Sequence, residues 1–475
     1  MSVTEVRART GPYTRWNGRL LGVVTVLVLV NFMVDSAITA PLIVLPEMLD
    51  HFDTDQAAWL NASAMLAGVM WAPLLGKCAD VYGKRRVLLW TLAISGAGAL
   101  LCAVAPSIWM FVPGRLLQGA AVAAMFLAVA IVRDVCAPRL AMVVVGIVTS
   151  GSAVLNIGSR FALEGLAERF GFQILFAGSA VIAATMAICV RAVVPESRVT
   201  TPGRIDVGGA LLLGGGLAGV LSYVSLGSEF GWFAPVPLVL LACGAAALLR
   251  WLLVSRRKPE PLIDLRDLGG PLALTLLVVV LATGSYQSML QLFPLVADVG
   301  AEQGLGYGLA GQGSVALLLA APGVGVMLGG PLAGALAARV GPAATLAGAV
   351  LLGVAGTLGM FAGATAYPAA IFFALVLGFT VGALGTSGFN MAASLAPPER
   401  QGLVSSLVMV MVATGSVVLN FVGAAVLKST SVAIGGDTVN SATGVYSYVT
   451  IACCAFAAAA VLAVVLSRRM SRVKE

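Results

Sequence analysis

The sequence is short of charge. Only 10% of its 475 residues are Asp, Glu, Lys or Arg, against about a quarter in an ordinary soluble domain. So little charge cannot clothe a water-facing surface of this size. Histidine is nearly absent: His51 is the only one, which leaves no His-based metal cluster and no histidine elsewhere to act as a general base. The seven cysteines, Cys78, Cys102, Cys136, Cys189, Cys243, Cys453 and Cys454, are scattered and form no CxxC. That spacing excludes a disulfide framework and a zinc site. No Walker loop or GxSxG occurs, so the chain has neither a phosphate cradle nor a nucleophile elbow. No enzyme activity, cofactor or metal is expected, nor is ATP-driven pumping by this chain alone.

What is abundant is apolar length. The chain is 59% hydrophobic with 56 glycines, and its apolar runs of roughly 20 residues match the thickness of a bilayer. Small residues allow close helix contact where lipid supplies no hydrophobic push. Fourteen spans can be counted. They predict an all-α membrane protein with a tail at 1–17, a six-helix block at 18–193, two additional helices with linkers at 194–269, a second six-helix block at 270–467, and a tail at 468–475. The run after MSVTEVRARTGPYTRW is read as the first span rather than as a signal peptide, because no small-residue cleavage site follows it.

Lys and Arg divide unequally between the two sides of these spans. One side takes Arg7, Arg15, Lys77, Lys84, Arg85, Arg86, Arg133, Arg139, Arg191, Arg256, Arg257, Lys258, Arg339 and Arg468, whereas the other has only Arg169 and Lys428. Short basic loops stay cytoplasmic, so both termini are expected in the cytoplasm and the protein in an inner or plasma membrane. The net charge of +7 follows from those loops, and no nucleic-acid partner is expected.

Gly76–Arg86, GKCADVYGKRR, reads as a basic turn opened by Gly76 and closed by Gly83. It recurs weakly as GALAARVG at Gly334–Gly341, with Ala338 in place of Asp80. Each copy follows the second span of a six-helix block, which points to two parallel repeats. Four charged residues fall inside spans: Asp35, Arg115, Arg160 and Glu164. An intramembrane carboxylate costs about 2.5–3.5 kcal/mol or more and usually marks a pathway. A desolvated carboxyl is also suited to gaining and losing a proton near neutral pH. Asp35 and Arg115 fall at compatible depths, and Arg160 and Glu164, four apart, share a helix face. The four are expected to form one charge network. Permanent structural ion pairing, or snorkelling to the surface, is the plainer alternative.

Several motifs resemble the major facilitator superfamily, and within it the fourteen-helix drug:proton antiporters. Gly76, Asp80, Gly83, Lys84 and Arg85 match the family's G-x-x-x-D-x-x-G-[RK]-[RK] motif between spans 2 and 3. Arg115, Gln118 and Gly119 match its R-x-x-Q-G motif on span 4, and Asp35 in VDSAITAPLIVLP matches the run closing span 1, with Ala37 and Pro41 replacing Thr and Asn. The segments WLNASAMLAGVMWAPLLG, VVPESR, GRIDVGGALLL, PEPLIDLR and PPERQGLVSSL are also similar. The family's G-P-x-x-G-G ending on span 5 is missing. Gly151–Gly165 reads GSAVLNIGSRFALEG, with Arg160 and Glu164 where the family keeps small residues.

The resemblance implies a monomer that exports hydrophobic or amphipathic compounds in exchange for protons, as in multidrug efflux and antibiotic resistance. Its partners would be a small amphipathic or lipid-like substrate, protons and membrane lipids. Asp35 would carry the proton with Arg115 as counter-ion. Gly76–Arg85 would latch one conformation, with Asp80 accepting from a helix N-terminus or pairing with Arg85; a purely topogenic role is the alternative. The first and fourth helices of each block would line a cavity through Asn31, Met33, Tyr286, Gln287, Gln291, Phe293, Asn390 and Met391, residues that ordinary packing would also explain. A transporter of lipids or hydrophobic metabolites without proton antiport, and a receptor or regulator without transport, stay open.

Overall fold

An apolar run long enough to cross a bilayer must satisfy its backbone internally, and the computed structural model is helical through all its spans. It describes residues 13–54, 57–197, 205–258, 269–297, 312–430, 432–434, 437–439 and 441–472. The helices are α1 (Gly18–Ile43), a short α2 (Leu45–His51), α3 (Ala57–Tyr82), α4 (Lys84–Ala103), α5 (Ile108–Gln118), α6 (Val122–Val135), α7 (Pro138–Ser150), α8 (Ser152–Phe170) and α9 (Gln173–Val193). They continue with α10 (Val207–Phe230), α11 (Pro235–Ser255), α12 (Gly270–Ala297), α13 (Gln312–Val340), α14 (Pro342–Gly363), α15 (Tyr367–Leu395), α16 (Gln401–Ser429) and α17 (Ala442–Arg472). A small antiparallel hairpin, β1 (Val432–Ile434) with β2 (Asp437–Val439), joins the last two. Among the described residues, 14 helical stretches are long and apolar enough to span a membrane. The fourth joins α5 and α6 through a 3-10 turn at Gly119–Ala121, and the fifth is formed by α7 and part of α8 across Gly151.

The chain divides into two compact units. The first holds residues 1–268 and 393–410; the second holds 269–392 and 411–475. The additional helices α10 and α11 thus group with the first unit. Gly214 of α10 lies against the Met70 backbone of α3, where a Cβ has no room. Asp206 caps α10 by accepting from Gly209 N at 2.8 Å and also takes the Lys258 ammonium just beyond α11 at 2.6 Å. Asn17 caps α1 through Leu20 N at 2.8 Å. Tyr13, ahead of α1, forms a parallel bridge with Cys136 between α6 and α7, donating to Val135 O at 3.0 Å and accepting from Ala137 N at 2.9 Å.

The weak repeat has a structural counterpart within each unit. Gly83 (φ 97°) and Gly341 (φ 94°) each make a one-residue turn between spans, a backbone region that only glycine enters freely. Backbones also touch between the second and fourth spans of each block. In the first unit Gly119 meets Ala64 and Gly68; in the second, Gly378 and Gly382 of α15 meet Pro322 and Val326 of α13.

Candidate functional site

Asp35 sits in α1 beside a polar seam. Asn31 and Asp35 are one helical turn apart and so share a face. Val148, Ser152 and Asn156 repeat the same spacing across the α7–α8 junction. Asn31 Nδ2 donates to Val148 O at 2.8 Å. Asn156 Nδ2 donates to Asp35 Oδ2 at 2.9 Å, and Ser152 adds a side-chain hydrogen bond to the same carboxyl. Gly151 lets the two helices close, because a Cβ there would press on Val28 of α1 and on Ile147 O. The half-buried Asp35 carboxyl is therefore held by a neutral amide and a hydroxyl on span 5.

Arg115 of α5 is fully buried. It donates to Ala37 O of α1 at 3.0 Å and to Gln118 Oε1, and its guanidinium lies 6.0 Å from the Phe176 ring centroid. A carbonyl, an amide oxygen and an aromatic ring together offset part of its desolvation. Its anchor on α1 is two residues beyond Asp35, so the motif residues Arg115 and Gln118 brace the helix that carries the carboxyl. Gly119 permits the 3-10 turn against α3.

The expected four-residue network needs correction at Glu164. That side chain lies on an exposed face of α8. The Arg160 side chain lies outside the described residues. Asn156, which a search for charges passes over because it is neutral, is a partner of Asp35.

Gly76–Arg86 also differs from expectation. It is not a turn opened by Gly76, because α3 runs to Tyr82 and α4 starts at Lys84. Gly76 is a buried helical contact residue facing Ser406 and Gly402 O. One turn on, Asp80 accepts from Gly402 N at 2.8 Å and Leu403 N at 2.9 Å, the free amides at the start of α16. Arg85 does not use Asp80. It donates to Glu196 Oε2 at 3.3 Å and Val194 O at 3.1 Å, and Arg86 lies 3.7 Å from the same carboxylate. Lys84 is buried on Asp134 Oδ2 at 2.7 Å, and Ser197 Oγ donates to that oxygen at 2.7 Å. Asp134 and Ser197 were missed, although VVPESR and the Arg133–Asp134 pair were visible in the sequence. Asp80→Asn turns one acceptor into a donor facing an amide. It is expected to speed hydrogen exchange at Gly402–Ser405 about tenfold or more, equivalent to about 1.4 kcal/mol, as read by mass spectrometry of that peptide.

Of the remaining cavity residues, Met33 is buried in the first unit. In the second unit Tyr286, Asn390 and Met391 are buried, and Gln287 is half-buried. The side chains of Gln291 and Phe293 lie outside the described residues. Beside Tyr286, Tyr448 OH donates to Ser288 O at 2.8 Å and ties α17 to α12.

Fourteen apolar spans among the described residues, in two helical units and with ionisable side chains set inside them, define a polytopic membrane transporter. The chain belongs to the Major Facilitator Superfamily, whose model matches residues 25–420 and 299–474. It is 27% identical over 408 residues to the multidrug resistance protein B homolog of Mycobacterium tuberculosis, covering 84% of this chain and 73% of that one. It is 26% identical over 348 residues to the uridine/deoxyuridine transporter of Lactococcus lactis, covering 70% of each. Among solved structures, the human organic anion transporter MFSD10 is similar in fold, with a TM-score of 0.59 and 16% identity over 95% of this chain and 99% of that one.

Proposed function

We propose that this transporter exports hydrophobic or amphipathic compounds in exchange for protons by alternating access, from a cell membrane with both termini in the cytoplasm. The observation that carries the reading is the Asp35 carboxyl, set inside a span and held by Asn156 and Ser152. An amide and a hydroxyl can each meet a carboxyl with or without its proton, since both can donate and accept. Arg115 then acts through α1, gripping the helix two residues beyond the carboxyl. Curated relatives named for multidrug resistance support the substrate class, and the excess of Lys and Arg on one side of the spans supports the orientation.

The test is ethidium flux in proteoliposomes with an imposed pH gradient. The expected result is dye movement that follows the gradient and collapses with a protonophore. Equal flux with and without the gradient would overturn the coupling. A chain that moves uridine but not ethidium would overturn the substrate class.

A further inference from the structure

We propose that Asn156 is the positioning residue for Asp35: its carboxamide holds the carboxyl in both protonation states and thereby sets the pH range over which transport runs. This rests on the proton-exchange reading above. Asn156 Nδ2 lies 2.9 Å from Asp35 Oδ2, on the helix that packs along α1. A carboxamide carries two N–H donors and one carbonyl acceptor. Towards the ionised carboxylate it presents Nδ2–H. When the carboxyl takes up a proton, a half-turn of the amide presents Oδ1 to the new O–H. Each protonation state thus keeps a hydrogen bond between the two side chains. Arginine at this position would favour only the ionised form, and leucine would support neither. Asn31, one turn earlier on the same helix as Asp35, directs its amide to Val148 O instead.

The other charged groups on helices packed against α1 stand apart from this contact. Arg115 reaches α1 at Ala37. Glu164, Glu168 and Arg169 of α8 are exposed. Lys77 and Asp80 of α3, Arg133 and Asp134 of α6, Arg139 at the start of α7, and Arg191 of α9 lie near the opposite ends of their helices. The Arg160 side chain is outside the described residues.

The experiment compares wild type, Asn156→Leu, Asn156→Gln and Asn156→Asp in proteoliposomes, following ethidium flux against pH. Leucine removes both bonds, and the charge-assisted one to the ionised form is the stronger, so the profile is expected to move to higher pH by about one unit. Aspartate adds a like charge and is expected to move it further in the same direction. Glutamine keeps the amide and is expected to recover most of the leucine shift. A leucine profile that coincides with wild type, or leucine and glutamine profiles that shift alike, overturns the role.

Dicyclohexylcarbodiimide labelling of Asp35, read by mass spectrometry on the purified proteins, reports the neutral carboxyl even in a variant that does not transport. Wild type driven by the gradient with superimposable labelling curves defeats this inference alone. Shifted labelling curves in a protein that ignores the gradient support the positioning and defeat the exchange reading.

Discussion

Asp35→Asn is expected to end gradient-driven dye flux while leaving the protein folded. Asparagine has nearly the same shape and keeps a carbonyl oxygen for the Asn156 amide and the Ser152 hydroxyl. The seam between α1 and α8 therefore survives, and so does the Arg115 bond to Ala37 O, which depends on backbone alone. What disappears is the one group at this point that can bind and release a proton. The expected loss is about tenfold or more in the flux that follows an imposed pH gradient. Movement of ethidium down its own gradient should persist, because it needs the conformational change and not the coupling. A variant that still responds to the pH gradient as wild type does would remove Asp35 from the mechanism. Retention of the thermal unfolding midpoint in detergent separates that result from simple misfolding.

The second large effect is on stability. Lys84 and Asp134 are 2.7 Å apart with side-chain exposures of 1% and 7%. Lys84→Met leaves the Asp134 carboxylate buried, with the Ser197 hydroxyl still donating to it. Stranding a buried charge costs about 3–5 kcal/mol. The expected outcome is a clear drop in the thermal unfolding midpoint and in the yield of monodisperse protein. Replacing both partners, Lys84→Met with Asp134→Leu, removes the stranded charge and should recover most of the loss. If the single variant unfolds at the wild-type midpoint, the pair contributes topology rather than stability.

The fourteen spans were legible because bilayer thickness imposes a length and a polarity that any chain must show. The allegiance of α10 and α11 was not. Hydropathy records that a face is apolar but not which neighbour receives it, and the fit of Gly214 against Met70 is a matter of shape. Asp80 stood out as a carboxylate among basic residues. Its partners, the amides of Gly402 and Leu403, lie more than 300 residues away in sequence and carry no side-chain signature. Gly76 misled because glycine breaks helices in water, whereas between packed membrane helices it serves as a contact surface. Arg160 and Glu164 drew attention through their charge. Asn156, which donates to Asp35, is neutral, lies one helical turn before Arg160 and was plain in the same stretch. Net charge is a guide to what a membrane resists, and hydrogen-bonding capacity is a better guide to what a carboxyl meets.

The bridge from Tyr13 to Cys136 makes the segment before the first helix a strap across the turn between α6 and α7. Cys136, a free thiol at 2% exposure, lies under it. Maleimide reactivity at that sulfur is then a built-in gauge of whether the strap is seated, and an affinity tag placed ahead of Tyr13 would be read by the same gauge. Preparations tagged at the amino end and at the carboxyl end should therefore be compared by thiol labelling before their transport rates are compared.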